Sequence, residues 1–385
     1  MPDYVMRWIT DPAALDAVAW DALVRARCGR LHPALRYDYL AAMHTSGSAS
    51  AGSGWEPEWL TLWRGSTLAG AIVLYRKHHS YGEYVFDWAW ADAYRRHGIE
   101  YYPKWLAAIP FTPVGAPKLL ATDPQVREML VAALMQQTVD SGLSSLHVLF
   151  PAADERDTFE SAGLTWRRGV QFHWHNPGFR NFGDYLDSLT GPKRKKVRAE
   201  RRKVREAGVT LRALTGSEAS AEDWAFFERC YAQTYREHHS TPYLNHRFFA
   251  SIAAGMGEQV LLVIAEQAGQ RVAATLSLFD EQVLYGRYCG SVRAIDALHF
   301  EACYYTPIEF CIERGIALFE GGAQGEHKMA RGFLPTETGS AHWLADQSFA
   351  DAVDHFIERE SLGIGGYLDE LSERSPLREG PPAGA

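Results

Sequence analysis

Hydrophobic and polar positions follow the same order twice along the chain. The segment GSTLAGAIVLY, which begins at Gly65, aligns without gaps with GQRVAATLSLF, which begins at Gly269. Each segment reads as a tight turn followed by a strand rich in β-branched and aromatic residues. A repeat with a period of about 200 residues indicates two fused domains rather than a solenoid.

Two helical patterns flank each copy of this turn and strand. Upstream, HPALRYDYLAAM from His32 matches TPYLNHRFFASI from Thr241, and both copies begin a helix shortly after a proline. Downstream, one helical pattern ends at Gly142 and the other at Gly315, where a left-handed residue is expected, and a short strand follows each glycine. The order of elements predicts an α/β (α+β) unit, in which helices flank a mixed, mostly antiparallel sheet.

Length and composition agree with two soluble domains. The chain has 385 residues, too many for one comfortable core, and 46% of them are hydrophobic. We predict a first domain over 1–178, a second over 179–372 and a disordered tail over 373–385. The N-terminus lacks a signal-peptide pattern, so the cytoplasm is the expected compartment, and no segment is apolar enough to insert into a membrane.

One segment is strongly basic, although the chain as a whole is acidic. The net charge is −8, yet residues 193–205 contain nine lysines and arginines against one glutamate. The spacing predicts a basic helix over 192–207, with a narrow apolar stripe made by Val197 and Val204. Two interpretations are open: a solvated helix that leans on an acidic body, or a docking surface for a polyanion such as RNA or nucleotide phosphates. The residues predicted to bind donor phosphates are Arg194, Lys195, Arg198, Arg201 and Arg205.

Long motifs give the chain a family resemblance. HSYGEYVFDWAWADAYRRHG from His79, LHFEACYYTPIEFCIERG from Leu298 and FEGGAQGEHKMARGFLPTETGSAHW from Phe319 are similar to the bacterial peptidoglycan biosynthesis/recognition family, a FemAB-like branch of the Gcn5-related N-acyltransferase (GNAT) superfamily. The resemblance implies two tandem GNAT-like domains, with the second one catalytic. Where the family pattern has Gln-Gly, this chain has Thr306-Pro307. The proline is expected to reset the start of the following helix.

The resemblance also suggests the acyl donor. Coenzyme-A-dependent relatives hold the pyrophosphate with a glycine-rich loop before a helix, and neither half of this chain has the required glycines. The expected donor is therefore an aminoacyl-tRNA, with acyl-coenzyme A as the alternative, and no bound cofactor is expected. The expected partners are aminoacylated tRNA and a small-molecule or peptide amine as acceptor.

The glycine-rich segment EGGAQGEHKMAR carries most of the candidate catalytic groups. Amide formation requires a deprotonated amine, stabilisation of the developing oxyanion and a proton for the leaving hydroxyl. Lys328, which resembles a lysine after the last core strand of FemAB-like enzymes, is predicted to stabilise the oxyanion, with His327 or Glu326 as proton carrier. Glu301 is the second candidate base, or alternatively a buried glutamate paired with an arginine. Arg331 is assigned to donor phosphate.

The predicted acceptor site combines residues from both halves. In the first half, acidic and aromatic residues would form a trough for a cationic amine, although a packed edge strand is the alternative. The assigned residues are Glu83, Asp87, Trp88, Asp92, His299, Tyr304, Tyr305 and Gln324. No metal is expected, because the spacing of His299, Glu301, His327 and His342 matches no known ligand pattern and the five cysteines form no C-x-x-C pair.

Three functions are consistent with these patterns. The first is transfer of an aminoacyl group from tRNA to an amine, which forms an amide. The second is an N-acyltransferase that uses acyl-coenzyme A. The third is a non-catalytic module that recognises a peptide or cell-wall precursor.

Overall fold

The computed structural model describes residues 4–322 and 325–378. Its strands are β1 Tyr4–Ile9, β2 Trp55–Pro57, β3 Trp59–Arg64, β4 Thr67–Ile72, β5 Leu74–Lys77, β6 Lys104–Ala107, β7 Ser145–Leu149, β8 Thr165–His175, β9 Val209–Thr215, β10 Val260–Gln267, β11 Gln270–Phe279, β12 Val283–Ser291, β13 Leu318–Glu320 and β14 Leu334–Leu344. Its helices are α1 Ala17–Cys28, α2 Tyr37–Thr45, α3 Trp88–Arg96, α4 Pro124–Ser141, α5 Arg156–Ser161, α6 Phe182–Ser188, α7 Gly191–Glu206, α8 Ala221–Glu237, α9 His246–Met256, α10 Leu298–Phe300, α11 Thr306–Arg314 and α12 Gln347–Glu373.

The chain forms two compact units, and each unit contains segments from separate parts of the sequence. Unit 1 contains residues 1–169, 243–251 and 337–365, and unit 2 contains residues 170–242, 252–336 and 366–385. The division predicted from the sequence was contiguous, with its boundary at residue 178. Residues 337–365 fall in unit 1 because the end of β14 pairs with β7, with His342 opposite His147.

Each unit contains one parallel pair of strands at the corresponding place. In unit 1, β2, β5, β6, β7 and β14 are neighbours in that order, and β6 and β7 run parallel. In unit 2, the order is β8, β13, β12, β11, β10 and β9, and β12 and β13 run parallel. The predicted mixed, mostly antiparallel α/β fold is therefore confirmed.

The turns and helix ends that define the repeat are also confirmed. Gly65 connects β3 to β4 and Gly269 connects β10 to β11, both with positive φ. Gly142 and Gly315 end α4 and α11 in the left-handed conformation that other residues adopt at a cost. The copies differ after the turn, because β4 ends at Ile72 in a separate three-stranded sheet of order β1-β3-β4, whereas β11 runs on to Phe279 between β10 and β12.

Each unit has its own hydrophobic core. In unit 1, Val126, Leu130 and Leu134 of α4 belong to one buried cluster with residues of β3, β6 and β7, and α4 contacts β3 and β4. In unit 2, Val197 of α7 and Ile308 of α11 pack with residues of β10 and β12. In unit 2, α7 and α11 therefore share a hydrophobic core with the strands of the sheet.

The C-terminal segment is ordered as far as the structure describes it. Residues 376–378 hydrogen-bond with the segment before α7, through Thr190 N to Pro376 O and Arg378 N to Ser188 O. The disorder predicted from residue 373 is therefore wrong for residues 373–378, because two backbone hydrogen bonds and a buried Leu189 hold this stretch. The rest of the predicted tail lies outside the described residues.

A glycine of β12 controls how closely α8 approaches the sheet. A Cβ atom on Gly290 would lie 2.2 Å from the carbonyl oxygen of Cys230 on α8. We expect Gly290→Ala to lower the free energy of unfolding by about 1 to 3 kcal/mol, measured by urea denaturation, because backbone atoms must move apart. Gly191→Ala is the control, since no atom lies within 4 Å of its added methyl group. Equal effects of the two substitutions would contradict this account.

Candidate active site

The candidate site of unit 2 lies where two parallel strands separate. β12 and β13 pair only from Val283 opposite Leu318 to Tyr285 opposite Glu320. Beyond this point the chains diverge, and an irregularity in the pairing of β11 with β12 at Ser277 reshapes the same region. A cavity of about 130 Å³ opens there, lined by Thr275, Leu276, Ser277, Gly286, Arg287, Tyr288, Cys289, His299, Cys303, Tyr304, Phe319, Gly321 and Lys328.

Lys328 is the buried cation of this cavity. It lies in the 3-10 turn Glu326–Arg331, which follows β13 and ends at Gly332 in the left-handed conformation. Its ammonium donates a hydrogen bond of 3.2 Å to the carbonyl oxygen of Gly322, and the residue is 5% exposed. Burial lowers the pKa of Lys328 to about 8, so the group is mostly charged at neutral pH.

Two histidines and a tyrosine stand beside this lysine. The hydroxyl of Tyr304 lies 3.2 Å from Nε2 of His327, and His299 lines the cavity. Partial burial and the nearby Arg331 lower the pKa of His327, so its imidazole is neutral at pH 7. Of the residues predicted from the sequence, Lys328, Tyr304 and His299 line one cavity, and His327 lies at hydrogen-bonding distance from Tyr304.

Glu301 and Tyr305 do not reach this cavity. Glu301 is buried and accepts hydrogen bonds of 3.0 and 3.2 Å from Arg201 of α7. Burial raises the pKa of Glu301, and Arg201 opposes that rise. The alternative of a buried glutamate paired with an arginine therefore describes the structure, because Arg201 occupies both carboxylate oxygens of the second candidate base. Tyr305 is also buried and donates to Glu200.

The other residues of the glycine-rich segment have separate surroundings. Glu326 is exposed and accepts a hydrogen bond of 3.2 Å from the hydroxyl of Tyr367 on α12. Arg331 is 1% exposed, forms a two-pronged ion pair of 2.8 Å with Glu200 and lies over the Phe300 ring. Its guanidinium therefore holds an internal carboxylate, in place of the donor phosphate assigned to it from the sequence. Gln324 lies outside the described residues.

The proline that departs from the family pattern follows a π-helical turn in the sequence. The helical segment from Leu298 to Arg314 contains one π turn, Glu301–Tyr305, directly before Thr306 and Pro307. A proline inside a helix supplies no N–H and crowds the carbonyl one turn earlier, which the wider turn relieves. This π turn is the segment that carries Cys303 and Tyr304.

The basic helix is present as α7, and its charges are divided between internal and exposed positions. Val197 and Val204 are buried as predicted. Arg194 pairs with Asp187 and Arg201 pairs with Glu301 and Glu309, so these two arginines are not free for phosphates. Of the predicted phosphate-binding cations of this helix, Lys195, Arg198 and Arg205 are exposed, and Lys196, which was not among them, is exposed as well. Helix α7 contacts the turn that carries Lys328, and Lys196 is close enough to lower the pKa of His327.

The expected acidic trough of the first half is a closed ion-pair network. Glu83 and Asp87 are 4% and 3% exposed, and both accept hydrogen bonds from the ammonium of Lys104 on β6. Asp87 also accepts a hydrogen bond of 2.7 Å from Tyr101. The prediction of an open trough is therefore wrong for Glu83 and Asp87, because an internal lysine occupies the place foreseen for the acceptor amine.

The remaining two residues of that predicted trough are accessible. Trp88 and Asp92 belong to α3, so the edge-strand alternative is also wrong from residue 88 onward. They line a separate cavity of about 430 Å³ in unit 1 together with Arg95, Tyr101 and Tyr102.

Sequence reasoning missed two cysteines of the unit 2 cavity. Cys289 of β12 and Cys303 of the π turn were interpreted as small core residues, yet both line the cavity beside His299. Their sulfur atoms and a ring nitrogen of His299 lie within 4.8 Å of one another. The available signal was the His299-x-x-x-Cys303 spacing, which places both side chains on one helical face.

Comparison with known proteins identifies the family. The family model described as FemAB-like, peptidoglycan biosynthesis/recognition, matches residues 11–379. The chain belongs to this family. As a FemAB-like protein with the tandem fold described above, it is an acyltransferase. No curated protein matches its sequence.

Solved structures share the fold of this FemAB-like chain at low identity. FemX has a TM-score of 0.55 and 11% identity, covering 88% of this chain and 98% of FemX. L-PGS from Bacillus licheniformis has a TM-score of 0.53 and 10% identity, covering 85% and 91%. A conserved protein of unknown function from Bacteroides thetaiotaomicron has a TM-score of 0.51 and 11% identity, covering 88% and 99%. Within residues 4–322 and 325–378, no helix has the length and apolar character to cross a bilayer.

Proposed function

We propose that unit 2 transfers an aminoacyl group from tRNA to the amine of a peptide or small-molecule acceptor, such as a peptidoglycan precursor. The observation that carries this proposal is the buried ammonium of Lys328 in the cavity between β12 and β13. A fixed positive charge in a water-poor site stabilises the oxyanion that develops when an amine attacks an ester.

The side chains around the cavity supply the remaining chemistry. The acceptor nitrogen attacks the ester carbonyl carbon, a C–N bond forms and the bond to the ribose oxygen breaks. His327, neutral at pH 7 and hydrogen-bonded to Tyr304, accepts the proton from the amine and passes it to the leaving ribose oxygen. The charge on Lys328 faces the carbonyl oxygen throughout, so the reaction needs no covalent intermediate on the protein.

The region before α10 favours a donor other than coenzyme A. The loop between β12 and α10, residues 292–297, contains no glycine. Two amides at the start of the helix are already used, because Leu298 N donates to Ile295 O and Phe300 N donates to Ala297 O. A pyrophosphate at this helix terminus would have to compete with these hydrogen bonds. The exposed cations of α7 offer phosphate contacts beside the turn of Lys328.

The donor is tested by supplying both candidates to the purified full-length protein. We expect a new amide product, detected by mass spectrometry, from a pool of charged tRNAs and a lysate of the organism. Replacement of the charged tRNAs with acetyl-coenzyme A is the parallel reaction. Product formation that needs acetyl-coenzyme A and ignores tRNA would overturn the aminoacyl donor and leave the acyltransferase assignment intact.

Binding of tRNA should depend on the exposed face of α7. We expect the triple substitution Lys195→Gln, Lys196→Gln and Arg198→Gln to lower the slope of log affinity against log salt by two to three, at about 0.9 per lost phosphate contact. The measurement is fluorescence anisotropy with labelled tRNA over a range of potassium chloride concentrations.

A charge-matched control distinguishes phosphate contacts made by α7 from the effect of a lower total positive charge. Arg25, Arg64 and Arg247 are exposed cations of unit 1, and their replacement by glutamine removes the same total charge. The control triple variant should keep nearly the full salt slope. If both triple variants lose equal slope, α7 is not the tRNA surface.

A further inference from the structure

We propose that Cys289, His299 and Cys303 form a binding site for a zinc ion in unit 2. The two thiol sulfurs and a ring nitrogen of the imidazole lie within 4.8 Å of one another. Two sulfur ligands and one nitrogen ligand are the donor set of three-ligand zinc sites with an open fourth position. This set differs from the His299, Glu301, His327 and His342 combination considered from the sequence, and it does not depend on the proposed function.

The distances suit a tetrahedral ion. With Zn–S bonds of about 2.3 Å and Zn–N bonds of about 2.0 to 2.1 Å, tetrahedral angles place sulfur and nitrogen ligands about 3.6 Å apart. The Sγ atom of Cys303 lies 3.5 Å from Nδ1 of His299. Two sulfur ligands of a tetrahedral zinc ion lie about 3.8 Å apart. Because the Sγ atom of Cys289 lies within 4.8 Å of the Sγ atom of Cys303, it needs to move by no more than about 1 Å to reach that distance.

The backbone prepares this arrangement. His299 and Cys303 are four residues apart on one helical segment, and such a spacing directs two ligands to the same face. Cys289 lies on β12, and its carbonyl oxygen accepts a hydrogen bond of 2.9 Å from the hydroxyl of Thr234 on α8. The close approach of Gly290 to Cys230 fixes the same stretch of strand. Ligands held by a strand and a helix lose little freedom when the ion binds.

The fourth coordination position would face the cavity of the candidate active site. Cys289, His299 and Cys303 line the cavity that contains Lys328, and they also line an adjoining cavity of about 510 Å³. Two thiolates and a neutral imidazole bring the charge of a bound Zn²⁺ to zero, so the ammonium of Lys328 is not repelled. An exogenous oxygen or nitrogen ligand has room to complete the coordination.

Cobalt(II) tests the site directly, because it adopts the zinc geometry and absorbs visible light. We expect the reduced, chelator-treated full-length protein to bind one equivalent of Co²⁺, with thiolate-to-cobalt charge transfer and the strong visible bands of a tetrahedral ion. Added Zn²⁺ should displace the cobalt. Cys289→Ser with Cys303→Ser should weaken binding by more than roughly 100-fold, since loss of an outer-shell partner alone costs about 10- to 100-fold.

Two further variants protect this interpretation. His299 is exposed, so His299→Ala should keep its fold by circular dichroism while it weakens metal binding at least about 10-fold. Cys28→Ser, in unit 1, should bind cobalt as the wild type does. Absence of stoichiometric binding, retention of the charge-transfer band without Cys289 and Cys303, or a Cys289–Cys303 disulfide with no metal affinity after reduction would each overturn the proposal. Loss of transferase activity alone would not bear on it.

Discussion

Lys328→Met is expected to lower the turnover number roughly 100- to 1,000-fold, which is the cost of removing one preorganised donor from an oxyanion site. The ammonium is buried and lines the cavity with Tyr304 and Phe319, so methionine leaves an uncharged group in its place. Initial rates of amide formation with saturating donor provide the measurement. Full turnover by Lys328→Met would remove Lys328 from the reaction.

The same substitution should stabilise the protein, which distinguishes lost chemistry from lost folding. The pKa of Lys328 is lowered from 10.5 to about 8, so the charged form is disfavoured in the folded state. Between pH 8 and 10.5 the unfolded chain binds more protons, and wild-type stability from this group therefore rises with pH. At pH 7 the full penalty is present, and methionine should raise the free energy of unfolding by about 3 kcal/mol.

Lys328→Arg is the matched control for the charge. If the ammonium form acts, wild-type turnover declines as the pH rises through about 8, the pKa of Lys328. An arginine stays protonated over this range, so the variant should keep its remaining turnover to higher pH. An activity that rises through pH 8 in the wild type would assign the neutral amine as a base instead.

Lys104→Met is expected to lower the free energy of unfolding by about 3 to 5 kcal/mol, because it removes the buried cation that Glu83 and Asp87 share. The ammonium of Lys104 is fully buried and donates to Ser80, Glu83 and Asp87. Burial opposes its charge, but Glu83 and Asp87 together raise the pKa of Lys104. Urea denaturation monitored by tryptophan fluorescence measures the effect.

Two variants show whether the loss comes from unpaired charge. Addition of Glu83→Gln and Asp87→Asn to Lys104→Met should recover much of the stability, since no buried carboxylate then lacks a partner. Asp92→Asn, on the exposed side of α3, should leave the denaturation midpoint unchanged. A single variant Lys104→Met as stable as the wild type would show that the network carries little energy.

The sequence by itself determined the features that depend on local backbone chemistry. Glycines at the hairpin turns and helix ends carry positive φ in both copies, so the pattern around Gly65, Gly142, Gly269 and Gly315 was sufficient to find the repeat and the fold. The amphipathic spacing of Val197 and Val204 likewise predicted the basic helix and its buried stripe. Such signals act over a few residues and are readable without a partner.

Only the tertiary structure decided which charged groups are available for chemistry. Glu301 pairs with Arg201, one hundred residues earlier, and Glu83 and Asp87 share the ammonium of Lys104. Cys289 approaches His299 and Cys303 because β12 and the π turn meet at the separation of β12 from β13. Ion pairs and ligand clusters depend on distances between segments that are far apart in the sequence. The packing of the sheet against its helices sets those distances, and the spacing of residues along the chain does not reveal them.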